Sequence, residues 1–216
     1  MPKAARSPEE VQEVRSRILE EAVDLITEKG FDQLSMRSIA GRAGMTAANI
    51  YNYYQNKDEL YLDIQTHGFA RLYERLDQAV RSAADPREQV RSVIRAYLSF
   101  GLDCASLYEI MFSLNTPKFA DYQHTPLEPV AFIEKETALQ SARLVIETFA
   151  AVPPEAAPVS PEEAYFRTIQ VWTALHGLVS LRNSRVLQEV EEDTAAFIER
   201  CVEEYSRLFF RDNVPL

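Results

Sequence analysis

The amino-acid sequence predicts an all-α protein, and three observations support this class. Four segments carry the residues that start an α-helix, long blocks of the chain contain no proline, and apolar residues recur at helical spacing. In addition, the 216 residues include only 6 glycines, which is less than half of the usual share of about 7%. This scarcity disfavours glycine-rich phosphate loops and β folds with many turns.

Four segments carry a helix start in which a capping residue is followed three positions later by Glu. The cap side chain accepts a hydrogen bond from an otherwise unpaired backbone N–H, and the Glu reaches back to the backbone N–H of the cap. Three of the four also have Pro at the first helical position, where the missing N–H costs little. These segments begin at Ser7, Asn56, Asp85 and Ser160.

Proline positions show where the helices can lie, because proline is excluded from helix interiors. The blocks without proline are 9–85, 87–116, 130–152 and 162–214. The proline-containing stretches 115–129 and 151–160 are predicted to be loops.

Apolar residues recur at three- and four-residue spacing in three segments, as they do on one face of a helix. In the first segment Gly30 follows the apolar stripe and is predicted to end the helix. The stripes are Val11, Val14, Ile18, Ala22 and Leu25; Val90, Val93, Tyr97, Gly101, Cys104 and Tyr108; and Phe197, Cys201, Tyr205 and Leu208.

Charge is unevenly distributed along the chain, whose formal net charge is −10. Residues 33–57 contain Arg37, Arg42 and Lys57 and no acidic residue. A short basic segment within an acidic chain favours a small nucleic-acid contact and argues against broad coating of DNA.

Several other classes of protein are disfavoured. No segment approaches the roughly 18 apolar residues of a membrane span, and the charged N-terminus does not resemble a secretory signal. Cys104 and Cys201 form no disulfide framework, so we expect the protein to function in the reducing cytoplasm. His67, His124 and His176 lie far apart, so neither a metal site nor a cofactor is predicted.

The basic segment has the pattern of a helix-turn-helix. Ser35 is predicted to cap a first short helix that ends near Ala43, and Gly44 permits the left-handed turn that follows. Thr46 is predicted to cap a second helix that ends near Tyr54. In such a motif the second helix enters the major groove of DNA and its N-terminal residues meet the base edges.

Four short motifs in and before this segment carry a family resemblance. They are Glu28-Lys29-Gly30-Phe31, Ile39-Ala40-x-x-Ala43-Gly44-Met45-Thr46, Ile50-Tyr51-x-Tyr53-Tyr54 and Asn56-Lys57-Asp58-Glu59-Leu60. With them, residues 9–62 resemble the DNA-binding domain of TetR-type transcriptional repressors. The resemblance implies a three-helix DNA-binding domain over residues 1–62.

The resemblance also implies roles for individual positions. Arg37 matches a DNA-contacting position, and Lys57 matches a lysine that binds phosphate at the start of the next helix. The positions that match the start of the recognition helix are Thr46, Ala47, Ala48 and Asn49. Those that match contacts to phosphates or base edges are Tyr51, Asn52 and Tyr53. These side chains suit their roles, since cations neutralise phosphates and Asn can pair with adenine.

The sequence departs from the family pattern in its recognition helix, which carries no charge. Many relatives have basic residues near the positions of Ala47, Ala48 and Asn52. Phosphate anchoring would therefore depend on Arg37, Lys57 and an N-terminal arm. The basic residues of that arm are Lys3 and Arg6.

Non-functional interpretations also apply to this segment. Tyr54 is predicted to be a core residue, and Tyr53 could either pack or contact DNA. Arg42 is predicted to be a solvated or intramolecular charge, and Asn49 could merely complete the cap at Thr46.

A second resemblance concerns residues 86–211. The segment that starts at Trp172 and includes His176-Gly177 resembles the Trp…His-Gly signature of one TetR C-terminal class. It implies a helical ligand-binding and dimerisation domain over 63–216, connected to the DNA-binding domain by a helix from Lys57 to about Ala83. We expect helices over 162–183 and 193–210 to pair with those of a second copy.

The predicted ligand-contacting residues are apolar or aromatic. They are Tyr97, Phe100, Tyr108, Met111, Phe112, Trp172 and His176. The same residue types also form helical cores, and a lone His on an apolar face is most often a packed core residue. If they line a pocket, its ligand is apolar or aromatic.

The two resemblances imply a TetR-type regulator, a repressor, that binds double-stranded operator DNA as a homodimer and is released by a small-molecule effector. No motif of a hydrolase or a nucleotide-binding enzyme is present, so an enzyme is not predicted. The alternative is a constitutive structural DNA-binding protein without a ligand.

Overall fold

The computed structural model describes residues 7–152 and 160–210. These residues form α-helices, one 3-10 turn and short connections, and they contain no strand, which confirms the all-α prediction. By its internal contacts the chain divides into two compact units. The first contains the described residues up to Phe69 and Ser106–Glu136, and the second contains Ala70–Ala105 and the described residues from Thr137 onward.

The helices account for most of the described residues. In chain order they are α1 (Pro8–Lys29), α2 (Met36–Arg42), α3 (Ala47–Ile50), α4 (Lys57–Ser82), α5 (Pro86–Asp103), α6 (Ala105–Phe112), α7 (Phe119–Tyr122), α8 (Glu128–Ala150), α9 (Pro161–Asn183), α10 (Leu187–Val190) and α11 (Thr194–Arg207). The 3-10 turn lies over Phe31–Gln33. Among the described residues, no helix combines the length and apolar composition that crossing a membrane requires.

The predicted helix starts are present. At α1 the Ser7 side chain accepts from the Glu10 N–H at 3.2 Å, and the Glu10 carboxylate accepts from the Ser7 N–H at 2.8 Å. Asp85 caps α5 and Ser160 caps α9 in the same way from the side chain. Each cap satisfies backbone donors that have no partner inside the helix, and this fixes where the helix begins.

The core of the first unit lies where α2 packs against α1 and α3. Side chains from each of these helices, from the connection after α3 and from the start of α4 are almost completely buried: Ile18, Ile39, Ile50, Tyr54 and Leu60. This core holds the helix-turn-helix rigid against α1.

In the second unit α5 packs against both α9 and α11. Its buried face includes Val90, Val93 and Ile94, which belong to the predicted apolar stripe or adjoin it. Ion pairs add to this packing, with Arg91 Nε 3.3 Å from a Glu203 carboxylate oxygen.

The stripe predicted to run from Val90 to Tyr108 is interrupted. Cys104 ends α5 with φ −117° and ψ 44°, and Tyr108 belongs to α6. The predicted loop over 115–129 contains the single-turn helix α7. The Asp121 carboxylate accepts a hydrogen bond from the Lys118 N–H at 2.8 Å at the start of this helix. Part of the other predicted loop, 153–159, lies outside the described residues.

Candidate functional site

The helix-turn-helix is formed by α2, the turn at Gly44 and α3. Gly44 has a φ of +67°, in the left-handed region that glycine adopts at little cost. The Met45 N–H donates to the Ala40 carbonyl at 2.9 Å and closes the end of α2. Thr46 Oγ1 then accepts from the Asn49 N–H at 3.2 Å, so α3 begins at the predicted cap.

The recognition helix is shorter than predicted. It ends at Ile50, and the chain continues to Tyr54 as a turn. After Ile50 the hydrogen-bond pattern is mixed: the Tyr53 N–H donates to the Ile50 carbonyl, three residues earlier, at 2.9 Å, and the Tyr54 N–H donates to the same carbonyl at 3.1 Å. Hydrogen bonds to the third residue back are common in the last turn of a helix.

The side chains predicted to meet DNA are mostly exposed at this motif. Thr46, Ala47, Ala48 and Asn52 are exposed, and Tyr51 is 55% exposed. Asn49 and Tyr53 are half-buried. Arm residues Lys3 and Arg6 lie outside the described residues.

Two asparagines of the motif are joined to each other. The Asn52 Nδ2 donates to Asn49 Oδ1 at 3.1 Å. This bond uses one N–H of Asn52 and leaves its Oδ1 and second N–H for the N6 and N7 atoms of an adenine. The backbone N–H of Asn49 completes the cap at Thr46, as the second interpretation of this residue predicted.

Arg37 and Arg42 belong to the same helix but have different surroundings. Within the described part of the chain, no ion pair or hydrogen bond engages the exposed Arg37 guanidinium. Arg42 contacts three carboxylates of α1: Glu28 at 3.0 Å, Glu21 at 3.0 Å and Asp24 at 3.8 Å. Hydrogen bonds to Glu28 and Glu21 raise the pKa of the Arg42 guanidinium above its ordinary value.

The structure therefore places Arg42 as an intramolecular charge that joins α2 to α1. Arg37 is the arginine of this helix whose charge is available to phosphate.

Lys57 is the first residue of α4 and contacts the 3-10 turn. Its Nζ lies 4.2 Å from the centre of the Phe31 ring and donates to the Phe31 carbonyl at 3.4 Å. A helix N-terminus also attracts anions through its unpaired N–H groups. The ammonium and the helix end together suit a phosphate group.

A half-buried network behind the motif was not predicted from the sequence. The Tyr54 hydroxyl donates to Asp63 Oδ2 at 2.6 Å, and Arg15 Nη2 donates to the same oxygen at 2.9 Å. The Arg15 guanidinium also stacks over the Tyr54 ring at 4.7 Å. Burial, followed by the hydrogen bond to Asp63, raises the pKa of Tyr54 above its ordinary value, so the hydroxyl stays protonated.

Four of the predicted ligand-contacting residues belong to the second unit. Trp172 Nε1 donates to the Tyr97 hydroxyl at 3.0 Å, and the His176 ring lies 6.5 Å from the Trp172 ring. Phe100 is completely buried, whereas Trp172 is 42% exposed, more than its interpretation as a core residue predicts. Burial lowers the pKa of His176 below its ordinary value.

The other three belong to α6 in the first unit. The Tyr108 and Phe112 rings lie 4.8 Å apart. Met111 packs against α4 so closely that a Cβ added at Gly68 would lie 2.5 Å from its sulfur. The structure therefore divides the seven residues between the two units, and their assignment to one ligand site stays a prediction.

The cysteines and the possible metal ligands remain to be placed. Cys104 and Cys201 are both half-buried, with free thiols. Within residues 7–152 and 160–210, no group of three or more potential ligands could hold a metal ion.

Sequence reasoning missed the partners of the site residues more than the site residues themselves. Arg15 is 48 positions from Asp63, and Phe31 is 26 positions from Lys57. Contacts over such distances leave no local pattern. The one signal for Phe31 was its place in the family motif Glu28-Lys29-Gly30-Phe31.

Two protein-family models match the chain. One, described as "Bacterial regulatory proteins, tetR family", matches residues 18–64. The other, described as "Tetracyclin repressor-like, C-terminal domain", matches residues 90–205, which is more than half of the chain.

Individual relatives are more distant. The chain is 28% identical over 100 residues to the HTH-type transcriptional activator FasR of Mycolicibacterium smegmatis, a match that covers 46% of each protein. It is 28% identical over 83 residues to the Fatty acid metabolism regulator protein of Bacillus subtilis, which covers 38% of this chain and 43% of that protein. Both matches span less than half of the relative's length.

A solved structure matches over nearly the whole chain. The fatty acid degradation regulator FadR from Bacillus halodurans aligns with a TM-score of 0.68 and 17% sequence identity, over 94% of this chain and 97% of that one. At this identity the likeness concerns the fold.

Proposed function

Because the chain belongs to the TetR family of transcriptional regulators, we propose that it represses transcription as a homodimer on a twofold operator. A small apolar or aromatic ligand releases the dimer from DNA. The protein is a DNA-binding regulator and not an enzyme. The observation that carries the proposal is the exposed start of α3, flanked in sequence by Arg37 and Lys57. We place this activity in the cytoplasm, where the operator lies.

An exposed stretch of α9 with a single charged residue supports the homodimer. Tyr165 is 54% exposed and Trp172 is 42% exposed, and Arg167 is the one charged residue between Tyr165 and Ser180. At Gly177, an added Cβ would meet no atom within 4 Å. Large exposed apolar side chains and an open glycine favour close packing against a helix of a second copy.

The contact of Trp172 with Tyr97 and His176 supports an apolar or aromatic ligand in the second unit. Aromatic rings with a few polar atoms are typical of small-molecule sites. A relative and a structural neighbour are named for fatty-acid regulation. Fatty acids are therefore the first ligand class to test.

The test starts from a duplex that the wild-type protein selects from a random-sequence library. We expect a defined site to be enriched, and a fatty acid of suitable chain length to release a fluorescent copy of it. The emission of Trp172, the sole tryptophan, should change over the same fatty-acid concentrations. Release without any change in Trp172 emission would contradict the proposed location of the ligand.

The alternative, a structural DNA-binding protein without a ligand, predicts a different result. Such a protein would enrich no defined sequence, and neither fatty acids nor aromatic carboxylates would release it. A Trp172→Phe variant, which contains no tryptophan, gives the background emission against which the change is measured.

A further inference from the structure

The side chain of Lys57 is held in place before any DNA is bound. Its ammonium lies 4.2 Å from the centre of the Phe31 ring and 3.4 Å from the Phe31 carbonyl oxygen. Phe31 itself is half-buried in the 3-10 turn that follows α1. A cation over an aromatic face is attracted by the electron density of the ring.

The Phe31 ring is in turn supported by Tyr61. Their ring centres are 4.6 Å apart, and Tyr61 is completely buried one helical turn after Lys57. The Tyr61 hydroxyl donates to the Ile110 carbonyl at 3.0 Å and lies 2.6 Å from Thr116 Oγ1. Burial raises the pKa of Tyr61 to about 12, so this hydroxyl keeps its proton at physiological pH.

We infer that Phe31 and Tyr61 are positioning residues for the DNA contact of this regulator. They hold the Lys57 ammonium where a DNA phosphate arrives, and the hydroxyl contacts of Tyr61 fix the ring stack behind it. The inference rests on the proposed DNA-binding function and adds two residues that do not touch DNA themselves.

The first reason to expect that this positioning favours DNA binding is the conformational freedom of the lysine side chain. A lysine has several rotatable bonds, and ordering them on binding a phosphate costs free energy. A side chain already held on Phe31 has lost part of this freedom in the unbound protein. Because an ammonium has three N–H donors and Phe31 accepts from one, two are left for phosphate oxygens.

The second reason is that nearby carboxylates compete with DNA for the Lys57 ammonium. Asp58 and Glu59 follow Lys57 directly in the first turn of α4. The Glu59 carboxylate is occupied by the Gln55 N–H at 2.6 Å. With the ammonium on the Phe31 ring, its charge is directed away from pairing with these acids and stays available to DNA.

The test is a double-mutant cycle on the duplex selected by the wild-type protein, with Kd measured by fluorescence anisotropy. Phe31→Leu keeps an apolar side chain but removes the ring, and we expect it to raise Kd by about three- to tenfold. In a Lys57→Ala background, the same substitution should leave Kd nearly unchanged. Phe31→Tyr, which keeps the ring, should bind like the wild type.

Two matched controls separate positioning from folding. Lys135 lies 4.4 Å from the centre of the Phe119 ring in the same unit, so Phe119→Leu removes an equivalent pair elsewhere. We expect it to leave Kd unchanged. Tyr61→Phe should raise Kd about twofold only when Lys57 is present. By contrast, Tyr122→Phe removes a buried hydroxyl that has no hydrogen-bond partner among the described residues, and it should have no effect.

The outcomes are distinct. If Phe31→Leu weakens DNA binding equally with Lys57 and with Ala at position 57, Phe31 acts only on folding and the inference is overturned. Tighter DNA binding by Phe31→Leu also overturns it. Unchanged binding of Lys57→Ala also overturns it, while the proposed function stands because DNA is still bound. If the wild-type protein selects no duplex, both the proposed function and this inference fail. If Phe31→Leu does not fold in thermal melts, the Tyr61→Phe cycle decides alone.

Discussion

At the scale of single residues, three basic side chains of one short segment have different surroundings. Arg37 is exposed on α2, Lys57 rests on Phe31, and Arg42 is held by carboxylates of α1. We predict that Arg37→Ala and Lys57→Ala each weaken binding to all DNA sequences. Each should also reduce the slope of log Kd against log salt by about one, because one fewer counterion is released.

Arg42→Ala is the matched control for this prediction. Its guanidinium already faces three carboxylates, so its removal should change the salt slope little. Titrations at several salt concentrations measure all three variants. Equal slopes for the wild type, Arg37→Ala and Lys57→Ala would contradict the assignment to phosphate.

Tyr54 and Tyr51 provide a second comparison, between stability and binding. Tyr54→Phe removes the partly buried hydrogen bond to Asp63, and we predict a loss of about 1–2 kcal/mol in the free energy of unfolding. Tyr51→Phe, at an exposed site, should keep its stability but bind DNA modestly more weakly. Urea unfolding and anisotropy distinguish the two, and a destabilised Tyr51→Phe variant would show that the Tyr51 hydroxyl supports the fold.

His176 makes stability depend on pH. Burial lowers its pKa in the folded state, so the unfolded state takes up a proton first as the pH falls through about 6.5. We predict that this residue contributes a loss of stability below that pH, and that His176→Gln shows a smaller loss. Urea midpoints at pH 8 and pH 5.5 measure the effect.

At the scale of elements, the exposed faces of α9 and α11 are predicted to form the dimer. Phe197 on α11 and Leu139 on α8 are both 37% exposed, which allows a matched test. We predict that Phe197→Glu gives monomers in multi-angle light scattering, because a carboxylate buried without a partner is costly. Leu139→Glu should stay dimeric. If the Phe197→Glu and Tyr165→Glu variants both remained dimeric, this interface would be contradicted.

Element boundaries were predictable where a local rule fixes them. Capping boxes gave the starts of α1, α5 and α9, and Gly44 gave the turn of the motif. The break at Cys104 was not predictable, because the apolar spacing continues through it. Nor was the early end of α3, where a mixed hydrogen-bond pattern replaces the helix without any change in residue type.

The candidate site shows the same division between local and distant contacts. The family resemblance predicted Arg37, Lys57 and the residues of α3 as DNA-contacting positions from their places in the sequence. The Arg15–Asp63 pair depends on packing between residues far apart in sequence, which no single-sequence pattern encodes. The division of the ligand-contacting candidates between two units has the same cause. The domain boundary at residue 62 stays a prediction.

At the scale of the whole molecule, charge limits how the protein meets DNA. The formal net charge is −10, while residues 33–57 carry only basic charges. An acidic chain is repelled from DNA except where its basic segment faces the backbone. Two copies would double this small contact and give a footprint with twofold symmetry.

Hydroxyl-radical footprinting on the selected duplex tests whether two copies bind one twofold operator. If they do, we expect two equal protected segments whose centres lie about 34 Å, one helical turn, or a multiple of it apart. A single protected segment, or uniform protection along the duplex, would contradict it.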